Sequence, residues 1–125
     1  MNIKILLFTA VLIPIFTWAA PPVLPTLVCN AENGAGFTAK LQRGAHYDHI
    51  CDVWVKDKSG TLVRYTENEC PGSLYSSEPA FVLGIDLGSL GSVRVERNGD
   101  GEQTYYDANG SSPAKCEIEN DFRSK

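Results

Sequence analysis

The sequence predicts an α+β domain: one short helix packed on a small antiparallel sheet, held by two disulfides. Three observations predict it. From Ile50 onward the apolar residues recur at alternate positions, as half-buried strands require. One earlier stretch, Phe37–Ile50, carries a competing helical spacing. Four cysteines stand in a short chain. An all-β sandwich is the alternative, and it gains weight if Phe37–Ile50 is strand and Cys29 pairs with Cys70.

The elements follow in order. The first twenty residues, MNIKILLFTAVLIPIFTWAA, hold one charged side chain, Lys4, then an apolar run from Ile5 to Phe16, then Ala19 and Ala20. A basic start, a short apolar centre and small residues at the end describe an export signal. The run is shorter than the ~20 residues a spanning helix needs, and Pro14 interrupts it. The expected organisation is therefore a signal over 1–20 and a single domain over 21–125, secreted and free of the membrane once the signal is cut. Residues 21–27, PPVLPTL, read as extended, and Asn30–Gly36 as a turn. Thr38 can cap a short helix whose face carries Leu41, Ala45 and His49, while Phe37, Ala39 and Leu41 also alternate as a strand would. The helix is the expectation for residues 37–50.

Strand signals then dominate. Cys51, Val53 and Val55 alternate with Asp52, Trp54 and Lys56; Lys58-Ser59-Gly60 turns the chain and Thr61–Tyr65 returns it as a hairpin. Phe81, Leu83, Ile85 and Leu87 share one face of a third strand, and Val93 and Val95 one face of a fourth. Asn98-Gly-Asp-Gly101 is a turn sequence, because Asn-Gly and Asp-Gly accept positive φ. Gln103–Asp107 pairs back, and Lys115–Glu119 forms a last short strand.

Composition narrows the function. The chain has 11 basic and 15 acidic residues, a net charge of −4, and the signal removes a basic one. A net acidic surface repels phosphate backbones, which excludes a protein that coats nucleic acid through bulk charge. The cysteines are Cys29, Cys51, Cys70 and Cys116, and no two of them form a C-x-x-C pair, so zinc is a poor reading and disulfides a good one. Three pairings are open. Cys29–Cys116 with Cys51–Cys70 is favoured, the first tying the two ends of the domain together.

Most motifs that could carry chemistry are incomplete. Asn98, Asp100 and Glu102 alternate like the start of a calcium loop, but Asn109 stands where the twelfth-position carboxylate belongs, so a hairpin turn is the better reading. His46 and His49 share a face if their segment is helical, yet only Asp48 and Asp52 could complete a ligand set, so no metal is expected. No cofactor pattern is present. Asn109-Gly110-Ser111 is an N-glycosylation acceptor in a turn. Trp54, Tyr105 and Tyr106 are candidates for a binding face or for cross-strand pairs.

One constellation carries a resemblance. The order Leu74-Tyr-Ser-Ser-Glu78-Pro79-Ala-Phe81, then Arg94-Val95-Glu96-Arg97-Asn98, then Cys116, resembles the small secreted guanyl-specific ribonucleases and ribotoxins of fungi, in particular the catalytically degenerate ribonuclease-like effectors of plant pathogens. The resemblance covers roughly residues 29–117. It implies a helix followed by a sheet, a disulfide from the N-terminal to the last cysteine, Glu78 as the base for a ribose 2′-hydroxyl and Arg94 as the cation for the phosphorane. The family's general acid, a histidine, belongs on the strand before the final cysteine, where this chain has Gln103–Gly110 and no histidine. His46 or His49 would have to replace it. Losing a general acid costs typically ~10²–10⁴-fold in rate. The expectation is therefore a secreted, monomeric effector-type protein with little or no catalysis. It would bind a host protein, or RNA, and could be translocated into host cells. An active ribonuclease using Glu78, Arg94 and one of the histidines is the second reading, and a disulfide-bonded β-sandwich binding module the third.

Overall fold

The computed structural model describes residues 24–120; the expected export signal lies outside them. Nine strands form one antiparallel sheet: β1 (Thr26–Ala31), β2 (Gly36–Gln42), β3 (Asp48–Lys56), β4 (Leu62–Arg64), β5 (Gly72–Ser77), β6 (Ala80–Asp86), β7 (Ser92–Arg97), β8 (Gln103–Asp107) and β9 (Gly110–Glu119). Their spatial order is β2-β1-β9-β8-β7-β6-β5-β3-β4, and β2 also pairs with β3. That last pairing closes eight strands into a barrel and leaves β4 outside the ring, paired among the described residues with β3 alone.

The expected α+β class is overturned, and so is the sandwich: the fold is a closed all-β barrel. The only helical element among the described residues is one 3-10 turn, Gly88–Leu90. The helix expected over 37–50 is β2, a reversal, and the start of β3. The physical reason is partnership. As a strand, this segment pairs with β1 on one side (Leu27↔Ala39, Cys29↔Phe37) and β3 on the other (Leu41↔Ile50). Phe37, Ala39 and Leu41 then all enter the interior. A helix would have set Leu41, Ala45 and His49 on one face, but only Leu41 is buried, and Ala45 is exposed. The reversal at 43–47 is fixed by Arg43, whose guanidinium lies 2.6 Å from the Asp48 carboxylate, and by Gly44, which donates its N–H to Asp48 Oδ1. A Cβ at Gly44 would stand 2.2 Å from the Tyr47 carbonyl oxygen, so only glycine fits there.

The interior is filled by the inward alternate positions: Leu27 and Cys29, Phe37, Ala39 and Leu41, Ile50 and Val53, Leu74, Leu83 and Ile85, Val93 and Val95, and Tyr105. Eight strands leave an interior that side chains can just fill. The Phe37 and Tyr105 rings meet across it at 6.5 Å. Both favoured disulfides are present. Cys29–Cys116 joins directly opposed residues of β1 and β9, at the seam where the chain's two ends meet. Cys51–Cys70 pins the segment after β4 against β3. Two disulfides fit an oxidising compartment, in keeping with an extracellular protein.

The remaining strand expectations hold with changed lengths. Val93 and Val95 point inward on β7 as read, and β9 runs for ten residues rather than five. The turn after β7 is held by Asn98 Oδ1, which accepts N–H bonds from Asp100 and Glu102. That side chain holds the turn.

Candidate functional site

Glu78 and Arg94 do not meet. Glu78 lies in the tight β5–β6 turn at one end of the barrel, its Oε2 3.7 Å from the guanidinium of Arg97. Arg97 also donates Nε–H to the Pro79 carbonyl oxygen and lies over the Phe81 ring, 5.4 Å from its centroid. Arg94 points outward from the barrel wall. Its Nε is 3.0 Å from Glu96 Oε2, and its guanidinium covers the Tyr106 ring at 4.4 Å. Residues 94 and 97 are an odd number apart, so a strand sends them to opposite faces. The buried pair Val93 and Val95 already implied this in the sequence.

The histidines lie elsewhere. His46 is exposed in the β2–β3 reversal. His49 is half-buried on the outer face of β3, opposite Ser73, with its ring 5.0 Å from that of Tyr47. Glu78 is thus apart from Arg94 and from both histidines, while His49 shares only the outer wall with Arg94, β5 and β6 lying between them. Among the described residues there is no group of three or more His, Cys, Asp or Glu side chains able to hold a metal.

The structure instead gathers aromatic rings on the outer wall. Strand register sets His49, Ser73, Gly84, Arg94 and Tyr106 in one row across β3, β5, β6, β7 and β8. A second row holds Tyr75, Val82, Glu96 and Thr104. Tyr47 closes the end of this wall, its ring 5.0 Å from that of Tyr75. Tyr75 is 51% exposed, although it sits mid-strand between paired neighbours. Gly84 presents no side chain, and nothing stands within 4 Å of where its Cβ would be. The wall therefore dips between its larger neighbours. Two shallow depressions of about 460 and 640 Å³ lie on it and share Tyr75 and Val82, and Gly84 lines the larger. Five strands at their usual spacing make this wall roughly 19 Å across.

Neither a protein-family model, nor a curated protein, nor a solved structure matches the chain.

The chemistry this wall offers is recognition. Tyrosine gives a large, stiff surface with one polar tip, and hydroxyls of Ser73 and Thr104 add adaptable hydrogen bonds. Arg94 is already stacked, so little side-chain freedom is lost when it is used. Tyr106 was legible as a surface candidate. Of the other two aromatics named with it, Tyr105 is interior and Trp54 lies on the wall of β3, away from these tyrosines. Tyr47, Tyr75 and Val82 were missed. Strand β5, GSLYSS, has no β-branched residue and, Tyr75 apart, no strand former, so no alternating run in the sequence placed Tyr75 on a wall.

Asn109 occupies the β8–β9 turn, exposed, its N–H donated to Asp107 Oδ1 at 2.8 Å. A transferase can reach such a turn. Expression through a eukaryotic secretory route is expected to give a glycosidase-sensitive mass that Asn109→Gln removes; an unchanged mass in the parent protein would show the acceptor unused.

Proposed function

We propose that this chain is a secreted, non-catalytic binding protein that recognises a partner protein through the tyrosine-bearing wall of β5–β8. The exposed Tyr75, packed on Tyr47 beside the stacked Arg94, is the observation that carries the reading. Tyrosine and arginine are the side chains most often found at the energetic centres of interfaces, and Tyr, Ser and Gly together make the composition of antibody-like recognition surfaces. The separation of Glu78 from Arg94 and from both histidines supports binding over RNA cleavage. The apolar leader and the two disulfides support export. The effector-type part of the ribonuclease resemblance stays within this proposal. The helix-on-sheet scaffold it implied does not.

The test pairs the parent protein with a Tyr75→Ala/Arg94→Ala double variant matched to it in thermal stability. Both side chains are external, so the barrel should tolerate their loss. Each is used to capture proteins from tissue extract, and every captured protein is then remade pure and titrated against both. A partner bound by the parent and weakened at least about 30-fold by the variant supports the proposal, that being the size of loss a hot spot gives. Equal retention by both sinks it. Cleavage of RNA by the pure parent, abolished by Glu78→Gln, would remove the non-catalytic clause.

A further inference from the structure

Strand β4 is the open edge of an otherwise closed ring. It pairs with β3 through Trp54↔Arg64, Val55↔Val63 and Lys56↔Leu62, and the barrel shuts through β2–β3 without it. Tyr65 donates its N–H to the Val53 carbonyl, and Asp57 donates to Thr61. The antiparallel alternation therefore turns Thr61, Val63 and Tyr65 toward β3, and the N–H and C=O of Leu62 and Arg64 face outward. The hairpin that holds this edge is firmly built. Asp57 Oδ1 accepts from the Ser59 hydroxyl and from the N–H groups of Ser59 and Thr61.

Exposed edges are normally blunted by shortness, charge, proline or a bulge; β4 is short, three residues, and bears one charge, Arg64. This one carries Leu62 at 55% exposure and Val63 at 44%, with Trp54 at 40% in the outward row beside them. Arg64 is in that same row, its guanidinium 5.9 Å from the Trp54 ring centroid.

We infer that β4 receives an extended segment of a partner protein as a further antiparallel strand, with an acidic side chain opposite Arg64 and an apolar one opposite Leu62. Backbone pairing at an open edge supplies affinity, and alternate side chains supply selectivity. The register argues against a second copy of this chain. Antiparallel pairing of β4 with itself, centred on Val63, sets each Leu62 against an Arg64, and in-register parallel pairing sets Arg64 against Arg64. An acidic residue opposite Arg64 satisfies the guanidinium that either self-pairing leaves without a counter-charge.

The experiment uses a fluorescein-labelled peptide, Ser-Thr-Glu-Val-Val-Thr-Ser, and the same peptide with Lys in place of Glu, read by anisotropy against the intact secreted protein. The Glu peptide is expected to bind and the Lys peptide to bind about tenfold less tightly, since a cross-strand charge pair becomes a repulsion. Arg64→Glu should invert that order. Leu62→Pro should abolish binding of both, because it removes an outward N–H without breaking the β3–β4 ladder. Should Leu62→Pro disturb the fold, methylating the peptide's own edge-facing amides gives the same loss with the protein untouched. Binding that survives amide methylation, or an order that Arg64→Glu leaves alone, overturns the inference. So does the absence of any anisotropy change at millimolar protein. Self-association in sedimentation that Leu62→Pro abolishes would assign the edge to a second copy instead, and that too overturns it.

Discussion

Replacing Cys29 and Cys116 together by serine is expected to cost roughly 4–5 kcal/mol of stability, the larger of the two disulfide losses. The bond spans 87 positions, and the chain entropy it removes from the unfolded state grows with that span. Cys51–Cys70 spans 19 positions, for which the same relation gives about 3 kcal/mol. The first bond also lies where β1 and β9 must find each other from opposite ends of the chain. Losing it exposes the ring to opening at that seam, the pairing with the longest loop to close. Urea unfolding of each double variant, without reductant, measures both costs. A loss for Cys51/Cys70 that equals or exceeds the loss for Cys29/Cys116 would contradict this ordering.

Truncating Tyr105 to alanine should cost about 3–5 kcal/mol, as removing a large ring from a packed interior does. Tyr105 is fully buried on β8, against Phe37. Burial pushes its hydroxyl from the ordinary value of 10.0 up to about 12, with the Asp107 carboxylate adding to the shift. The folded protein therefore holds this proton more tightly than the unfolded chain does. Its contribution is fully present below pH 10 and is lost as pH rises toward 12, by at most about 1.4 kcal/mol per pH unit. Tyr65 acts in the same direction, its hydroxyl raised by burial first and then by Glu67 and Asp86. Tyr105→Phe should consequently flatten the alkaline decline without erasing it. Urea midpoints compared at about pH 9 and pH 11 decide this. Parallel declines for parent and variant would show that Tyr105 is not the titrating group.

What was legible in the sequence is what alternation alone can carry. Val93 and Val95, flanked by Arg94 and Glu96, could only be a strand with a wet face, and that is β7. The Cys51–Tyr65 hairpin was equally plain, because a turn sequence separates two alternating runs. Phe37–Leu41 was not, since three apolar residues at alternate positions fit a strand and the wider spacing to Ala45 and His49 fits a helix. Closure of the ring decided it, and closure is a long-range property that no window of residues contains. β5 failed for another reason: Gly72-Ser-Leu-Tyr-Ser-Ser77 is strand only because β6, and in part β3, lie beside it. The site followed the same division. Arg94 and Glu78 were both named from the sequence, and a joint role required them on one face. The parity of the strand forbade that, and Arg97 took the place beside Glu78.

Thr26 and Glu119 are directly paired neighbours, so the described chain leaves the barrel beside the point where it enters. Topologically the eight strands have a cyclic order, and the linear order of the polypeptide is one of several that would thread them. A short link from Glu119 to Thr26, with the chain reopened at the exposed turn Ala108–Asn109, keeps every strand neighbour the barrel now has. The identity of this fold resides in who sits next to whom. Where the ribosome starts is incidental to it.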